Sequence, residues 1–488
     1  MMTVLEPGVE IKIPKRFFLV ALAIRLIPVL LSFSLGIGLD DMFQYDMLAR
    51  SLVTGNGFRW YSEPDLTLIR QYIPIDLGKA AYDPRGVEAA FRGPTYPIFL
   101  AAIYFFSGMP HRFFAARMIQ AVLGALLASF TFSLARRLDP EREKTAHIAA
   151  WIVALYPMLL VYPLALATEN LFFVLTLGGV LLLLRGTDGE KPGGVKALYW
   201  FALAGAVLGL AVLTRSVIAL FLPLAMYWIG RNAKSIRGTI LFAGAAAVVV
   251  VPWAVRNSIL AGRPESVEVS LGYNLYMGYH PQSNGTFQFG ISLDLLTIFD
   301  DMKRDQIGIQ KAVGFIRDNP GRVPYLIVRK AGYFFGLEKR ALVYFYSNDF
   351  LGYIPAPALL ALAIVFLLPF VFLSTTAGFG AVALPHTDAK TLCLLFGLAY
   401  ITPHLLILAE DRFHMTLIPF LAVLAAAAFL RWREILYSLR APLGGRKWLI
   451  PALIALLLLA NWGYELWSDA PRLAVLLGPN GNTVYPPY

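Results

Sequence analysis

Apolar runs long enough to cross a bilayer recur along the whole chain. A spanning helix needs about 20 such residues. The runs fall at roughly 17–37, 116–136, 146–163, 170–186, 198–213, 217–230, 239–256, 354–374, 391–409, 413–430 and 448–467, about eleven in all. The stretch 94–108 is apolar but short, and reads as an interfacial or re-entrant helix. Two long segments separate these runs, 38–115 and 257–353, and neither is of low complexity. The first carries Tyr45, Leu48, Ala49 and Leu52 at helical spacing, the pattern of an amphipathic helix lying on a membrane surface. The second has Ile307, Val313, Ile316 and the run 323–335, with a Ser283-Asn284-Gly285 turn before them. The chain therefore divides into a first span and its leader (1–37), a first loop (38–115), a bundle (116–256), a second loop (257–353), further spans (354–467) and a tail (468–488).

Basic residues orient this pattern, because short loops rich in Lys and Arg stay inside. Lys12, Lys15 and Arg16, then Arg136, Arg137, Arg142 and Lys144, then Arg185, Lys191 and Lys196, fall on one side. So do Arg231, Lys234, Arg237, Lys390, Arg431, Arg433, Arg440, Arg446 and Lys447. The short loops and tail of the other side hold Arg215, Arg412 and Arg472. Both long segments are thus expected outside the cytoplasm.

Composition agrees. At 488 residues, 58% hydrophobic and 15% charged, the chain is too apolar for a soluble protein. Its formal charge of +11 sits in inner loops facing an anionic leaflet. Nucleic-acid binding has no support, since no recognition module and no aromatic interleaving accompanies the basic residues. The one cysteine, Cys393, lies in an apolar run, so neither a disulfide framework nor a cysteine metal cluster is expected. The N-terminal apolar stretch lacks a small-residue cleavage site and reads as the first span rather than a signal peptide. P-loop, dinucleotide-binding, HExxH and GxSxG motifs are absent.

The expected topology gathers polar residues from distant positions at one membrane face, and ionisable groups at span ends are functional candidates. Asp40 and Asp41 are a general base or an acidic pair, or else a turn capping the helix that begins near Met42. Arg92, followed by Gly93-Pro94-Thr95-Tyr96-Pro97, offers a guanidinium to a phosphate or snorkels to headgroups. Glu169 stands in a very short outer loop as a helix N-terminal carboxylate or a site residue. Arg215 has the same placement with opposite sign, and holds an anion or pairs with Glu169. Arg256 ends a span beside Trp253, as a ligand or an interfacial anchor. Glu410-Asp411-Arg412-Phe413-His414 packs four ionisable residues at one span boundary, as a local salt-bridged cap or as part of a site. His280 and Lys330, isolated in the second loop, are weaker candidates that solvent alone would explain. Arg25, inside the first span, calls for a partner in the bundle interior. Asp40, Asp41 and Glu169 are hard oxygen ligands compatible with a divalent metal, but their spacing requires none and no cofactor is implied.

These residues also carry a resemblance. Asp41-x-x-x-Tyr45-x-x-x-Ala49-x-x-Leu52-x-x-Gly55-x-Gly57 after a first span resembles the start of GT-C-fold glycosyltransferases that use polyprenyl-phosphate sugars. The protein O-mannosyltransferase and lipid A aminoarabinose transferase types are the most similar. Arg92 to Pro97, Thr168-Glu169, Pro252-Trp253 to Arg256-Asn257, Gly272 to Gly278, and Arg412-Phe413-His414 to Pro419 fit the same order. The resemblance implies an all-α GT-C-like bundle of about 11–13 transmembrane helices, with amphipathic juxtamembrane helices in two long outer loops. It makes Asp41 the essential first-loop acid, with Asp40 its less favoured neighbour and Glu169 the second acidic position. It sets Arg92 against the lipid phosphate. Tyr45, Arg215, Arg256, His280, Lys330, Arg412 and His414 are then expected to bind substrate. This sequence departs from many relatives in having Asp-Asp for Asp-Glu, and lacks large soluble sensor modules, which leaves the acceptor open. The expected function is transfer of a sugar to a lipid, glycan or protein acceptor on the extracytoplasmic face of an inner membrane, with inversion. The rivals are a transporter or flippase, and a polysaccharide polymerase or ligase.

Overall fold

In the computed structural model the described residues are 14–38, 40–70, 82–188, 194–339, 342, 354–440 and 445–476. Lys12, Lys191 and the tail beyond 476 lie outside them. Along the chain run α1 (Lys15–Leu31), α2 (Asp41–Val53), β1 (Arg59–Trp60), α3 (Glu63–Ile69), β2 (Val87–Glu88), α4 (Thr95–Ser107), α5 (Arg112–Leu138), α6 (Glu143–Leu155), α7 (Pro157–Val161), α8 (Glu169–Gly186) and α9 (Val195–Thr214). Then come α10 (Phe221–Asn232), α11 (Ile236–Ala261), α12 (Leu271–Tyr279), α13 (Phe289–Leu296), α14 (Asp301–Asp318), α15 (Arg322–Phe334), α16 (Ala356–Ala383), α17 (Asp388–Leu406), α18 (Ile418–Leu430), α19 (Trp432–Arg440) and α20 (Leu449–Leu476). The protein is all-α. Its strands, among the described residues, are the two-residue pair Arg59↔Glu88 and Trp60↔Val87.

Each of the eleven expected spans coincides with helix, and eight are long and apolar enough to cross a membrane. The run 146–163 is helical but bent by 52° between α6 and α7. Pro157 causes this, since it has no N–H to continue the ladder. The first span is shorter than expected, 17 residues, because Ser32 turns back onto Pro28 and Val29 and glycines follow. The tenth helix is 12 residues, preceded by a 3-10 turn Ser216–Leu220. The stretch 94–108 forms the 13-residue α4, an apolar helix too short to span.

Small residues let the bundle pack closely. Ala125 and Ala128 of α5, Ala146, Ala149 and Ala150 of α6, and Ala422 and Ala425 of α18 share one buried core, the packing expected where lipid offers no hydrophobic drive. Helices α11, α16 and α20 are apolar yet mostly uncovered, with 17%, 22% and 11% of their apolar windows buried. An apolar surface of that extent faces lipid. Charge is segregated by end. At one end Asp139 takes both Nη atoms of Arg431 at 2.7 Å, and Asp188 takes Arg137 and Arg185. Asp41, Glu169, Arg215 and Arg412 fall at the other, as alternation of the spans requires.

Arg25 finds its partners in backbone. It is fully buried, and its Nη1 donates to Ala21 O at 3.1 Å and Ala154 O at 3.0 Å, its Nη2 to Val153 O at 3.0 Å. Val153 is four residues before Pro157, so its carbonyl is the one the proline leaves unbonded. The guanidinium fills the gap that the bend opens. Arg25→Met should therefore strand buried carbonyls, each costing about 1–3 kcal/mol. Thermal unfolding in detergent should show a lowered Tm, and an unchanged Tm would show that the bend is satisfied without Arg25.

Candidate active site

Asp40 and Asp41 divide the roles the sequence left open. Asp40 is the N-cap of α2, its Oδ1 accepting from Met42 N at 2.8 Å. That contact is the capping role that the sequence offered as the alternative for this pair. Asp41 begins the helix, and its side chain is 33% exposed and turned to two arginines. Arg92 pairs with Oδ1, and Arg412 Nη2 stands 3.1 Å from Oδ2. Arg92 also donates from Nε and Nη2 to Gln44 Oε1 at 2.9 and 2.7 Å. Gln44 lies one turn beyond Asp41, so a single helix face presents both acceptors to one planar fork.

Charge alternates from there. Arg412 Nε lies 3.3 Å from Glu410 Oε2 and 3.8 Å from Glu169 Oε1, and Glu169 Oε1 pairs with Arg215 Nη1 at 2.7 Å. Thr168 Oγ1 accepts from Arg215 at 3.2 Å and donates to Glu169 Oε2 at 3.1 Å. Glu169 is buried at the first turn of α8, where the helix dipole favours an anion. Tyr45 forms the wall: its ring meets Tyr96 edge-on at 5.1 Å, and the Arg92 guanidinium lies 5.1 Å above it. Burial, with the nearby Asp41 and Glu169 carboxylates and against Arg92 and Arg215, pushes the Tyr45 hydroxyl up to about 12. Burial alone would lower the Arg92 pKa. The Asp41 carboxylate, with Tyr45 and Glu268, outweighs it and holds that guanidinium above its usual range. Arg215 is held above its usual range likewise, burial being offset by Glu169 and Tyr400.

The backbone before Arg92 is fixed from three sides. Asp301 Oδ2 accepts from Ala90 N at 2.8 Å and Phe91 N at 3.0 Å. Arg256 donates to Ala89 O at 2.5 Å, and Glu268 accepts from Gly93 N at 3.3 Å and from Ser216 N at 2.9 Å. A Cβ at Gly93 would stand 2.2 Å from Leu213 O, so glycine is what lets this turn lie on the end of α9. Arg256 therefore acts on Arg92 through the chain, and touches Trp253 and Phe58 rather than Asp41.

Other expected ligands fall away from the cluster. His280 ends α12 with its ring against Tyr276 and Phe315. His414 is fully buried, stacked on Phe370 at 3.8 Å between Phe334 O and Glu338. Lys330 is fully buried, where solvation had been the simple expectation, and its Nζ sits 3.3 Å from Leu406 O and 3.7 Å from the Tyr279 ring centre. Sequence reasoning missed Gln44, Glu268 and Asp301 as supports. Gln44 was findable from its spacing to Asp41; the other two act across more than 170 residues. Among the described residues no three His, Cys, Asp or Glu side chains are grouped as a metal site requires.

The fold and cluster define a multi-span membrane protein with a carboxylate held between guanidiniums at one end of its bundle. Residues 92–255 match the sequence family described as dolichyl-phosphate-mannose-protein mannosyltransferase. That segment contains Arg92, Glu169 and Arg215, while Asp41 and Arg412 lie outside it. No curated protein matches the chain. Among solved structures, ArnT from Cupriavidus metallidurans bound to undecaprenyl phosphate is similar at 14% identity with a TM-score of 0.39, over 87% of this chain and 79% of that one. The same protein in the apo state is similar at 13% identity and 0.37, over 95% and 80%.

Burial lowers the Lys330 amine to about 7 from an ordinary 10.5. Between those pH values the unfolded chain carries a proton that the folded one does not, so this group makes stability rise with pH across that window. Relative to Lys330→Met, the wild-type Tm should climb from pH 7 toward pH 10. Parallel Tm profiles for the two proteins would contradict it.

Proposed function

We propose that this protein is a membrane glycosyltransferase that moves a sugar from a polyprenyl-phosphate donor to an acceptor hydroxyl, at the extracytoplasmic face. The observation that carries the reading is the Asp41 carboxylate between Arg92 and Arg412, in a chain whose segment 92–255 matches a glycosyltransferase family. A partly exposed carboxylate accepts a proton, and the guanidiniums around it suit a phosphate.

In this mechanism the donor phosphate draws Arg92 or Arg412 away from Asp41 and frees a carboxylate oxygen. Asp41 then takes the proton of the acceptor hydroxyl as that oxygen bonds to the anomeric carbon. The bond from that carbon to the phosphate oxygen breaks from the opposite face, which inverts the centre. The electron pair stays on the leaving polyprenyl phosphate, where Arg92 and Arg412 stabilise the added charge. Glu169 keeps Arg215 and Arg412 oriented from behind. Tyr45, with its hydroxyl kept protonated, offers a ring wall to the sugar.

Purified Asp41→Asn protein, supplied with a polyprenyl-phosphate sugar, should transfer about 10²–10⁴-fold more slowly than wild type. It should still fold, because Asp40 rather than Asp41 caps α2, with a Tm lowered by the loss of the ion pairs to Arg92 and Arg412. Transfer at the wild-type rate would refute Asp41 as the base.

A further inference from the structure

Residues 406–414 carry Arg412 to Asp41, and they are gripped at both ends by the second loop. At the first end, α17 stops at Leu406. A final helical carbonyl has no partner within its own helix. Leu406 O instead accepts from the Tyr279 hydroxyl at 2.7 Å and from Lys330 Nζ at 3.3 Å. The Lys330 amine also lies 3.7 Å from the Tyr279 ring centre, so amine, ring and carbonyl form one closed contact. The backbones touch here as well: a Cβ at Gly278 would stand 2.0 Å from Ile407 O.

At the other end, a carbonyl accepts only, so His414 Nδ1–H donates to Phe334 O, at 2.8 Å. That leaves Nε2 facing Glu338 Oε1 at 3.0 Å, and the same oxygen accepts from the Tyr156 hydroxyl at 2.8 Å. Burial pushes the Glu338 carboxyl up, against the pull of His414 and Tyr156. Its second oxygen is buried without a hydrogen-bond partner among the described residues. Glu338, Asp411 and Arg412 line the same narrow crevice, with Met158 and Met415. Lys330 and Phe334 are on α15, and Glu338 follows it by four residues. Between the two grips lie Glu410 and Arg412.

We propose that Lys330 and Glu338 are positioning residues for the reaction at Asp41: α15 and the turn after it clamp segment 406–414 at both ends and so set where Arg412 stands. This rests on the function proposed above. Neither residue touches substrate. Tyr279 is the titratable group against Lys330 from α12, while the end of α17 and the 283–285 turn present backbone to it. His404, the other titratable group near the end of α17, is turned to Phe334 and Phe413.

The test is hydrogen exchange and steady-state kinetics on the full chain in detergent, with Lys330→Met, Glu338→Ala and Glu338→Gln. Misplacing a reacting group by about 1 Å costs up to about 10²-fold. The first two variants should lose kcat on that order, with KM for the lipid donor within about twofold. Amide exchange should quicken in 406–414 and stay unchanged in α5, α8 and α18. Glu338→Gln should recover part of the rate, since an amide nitrogen in the place of Oε1 donates to His414 Nε2 but no longer accepts from the Tyr156 hydroxyl. If Lys330→Met does not fold, Tyr279→Phe removes one bond to Leu406 O and should move both readouts the same way. Unchanged exchange in 406–414, or exchange that rises across all spans together, would overturn the clamp. A wild-type protein that transfers no sugar would instead defeat the proposed function, and the exchange data would still decide the clamp.

Discussion

The carboxylate of Asp41 between the guanidiniums of Arg92 and Arg412 is the contact on which the rest of the site depends. It joins three stretches far apart in sequence: the start of α2, the turn before α4, and the 3-10 turn Asp411–Leu417. Arginines from two of these stretches meet the carboxylate of the third on both of its oxygens. The second pair, Glu169 and Arg215, extends the same alternation into the buried end of α8. Breaking such a buried pair by removing one partner leaves an uncompensated charge, which is why these residues are placed together rather than singly.

Much of the remaining structure keeps those three stretches in register. Asp301 and Glu268 hold the backbone on either side of Arg92, and Arg256 holds it at Ala89. Gln120, which accepts from Tyr96, donates to the carbonyls of Pro163 and Ala165 and so ties α4 to the loop that leads to Glu169. The described parts of the long loops thus form platforms for the charged cluster. The spans beneath them pack through alanine and leave α11, α16 and α20 to lipid.

The helices were legible because span length and apolarity are local properties of the chain. Their exceptions were local too, and Pro157 and the glycines after Ser32 account for the bend and the early end. The alternation of spans also brought Asp41, Glu169, Arg215 and Arg412 to one end, so topology alone gathered most of the cluster. What could not be read was which backbone groups the buried side chains meet. Arg25 pairs with carbonyls freed at a bend 128 residues away, and Lys330 with the end of α17, 76 residues away. Each partner is backbone, which carries no mark in the sequence. That Asp40 rather than Asp41 caps α2 turns on where its first turn begins, and periodicity does not fix a helix start to one residue.

The most direct test of the central claim is lipid mass spectrometry on cells in which an Asp41→Asn copy replaces the native gene. A protein that consumes a polyprenyl-phosphate sugar through Asp41 should let one such lipid accumulate when the carboxylate is gone, and the mass of that lipid would identify the donor. An unchanged pool of lipid-linked sugars, with the variant folded and abundant in the membrane, would contradict the account.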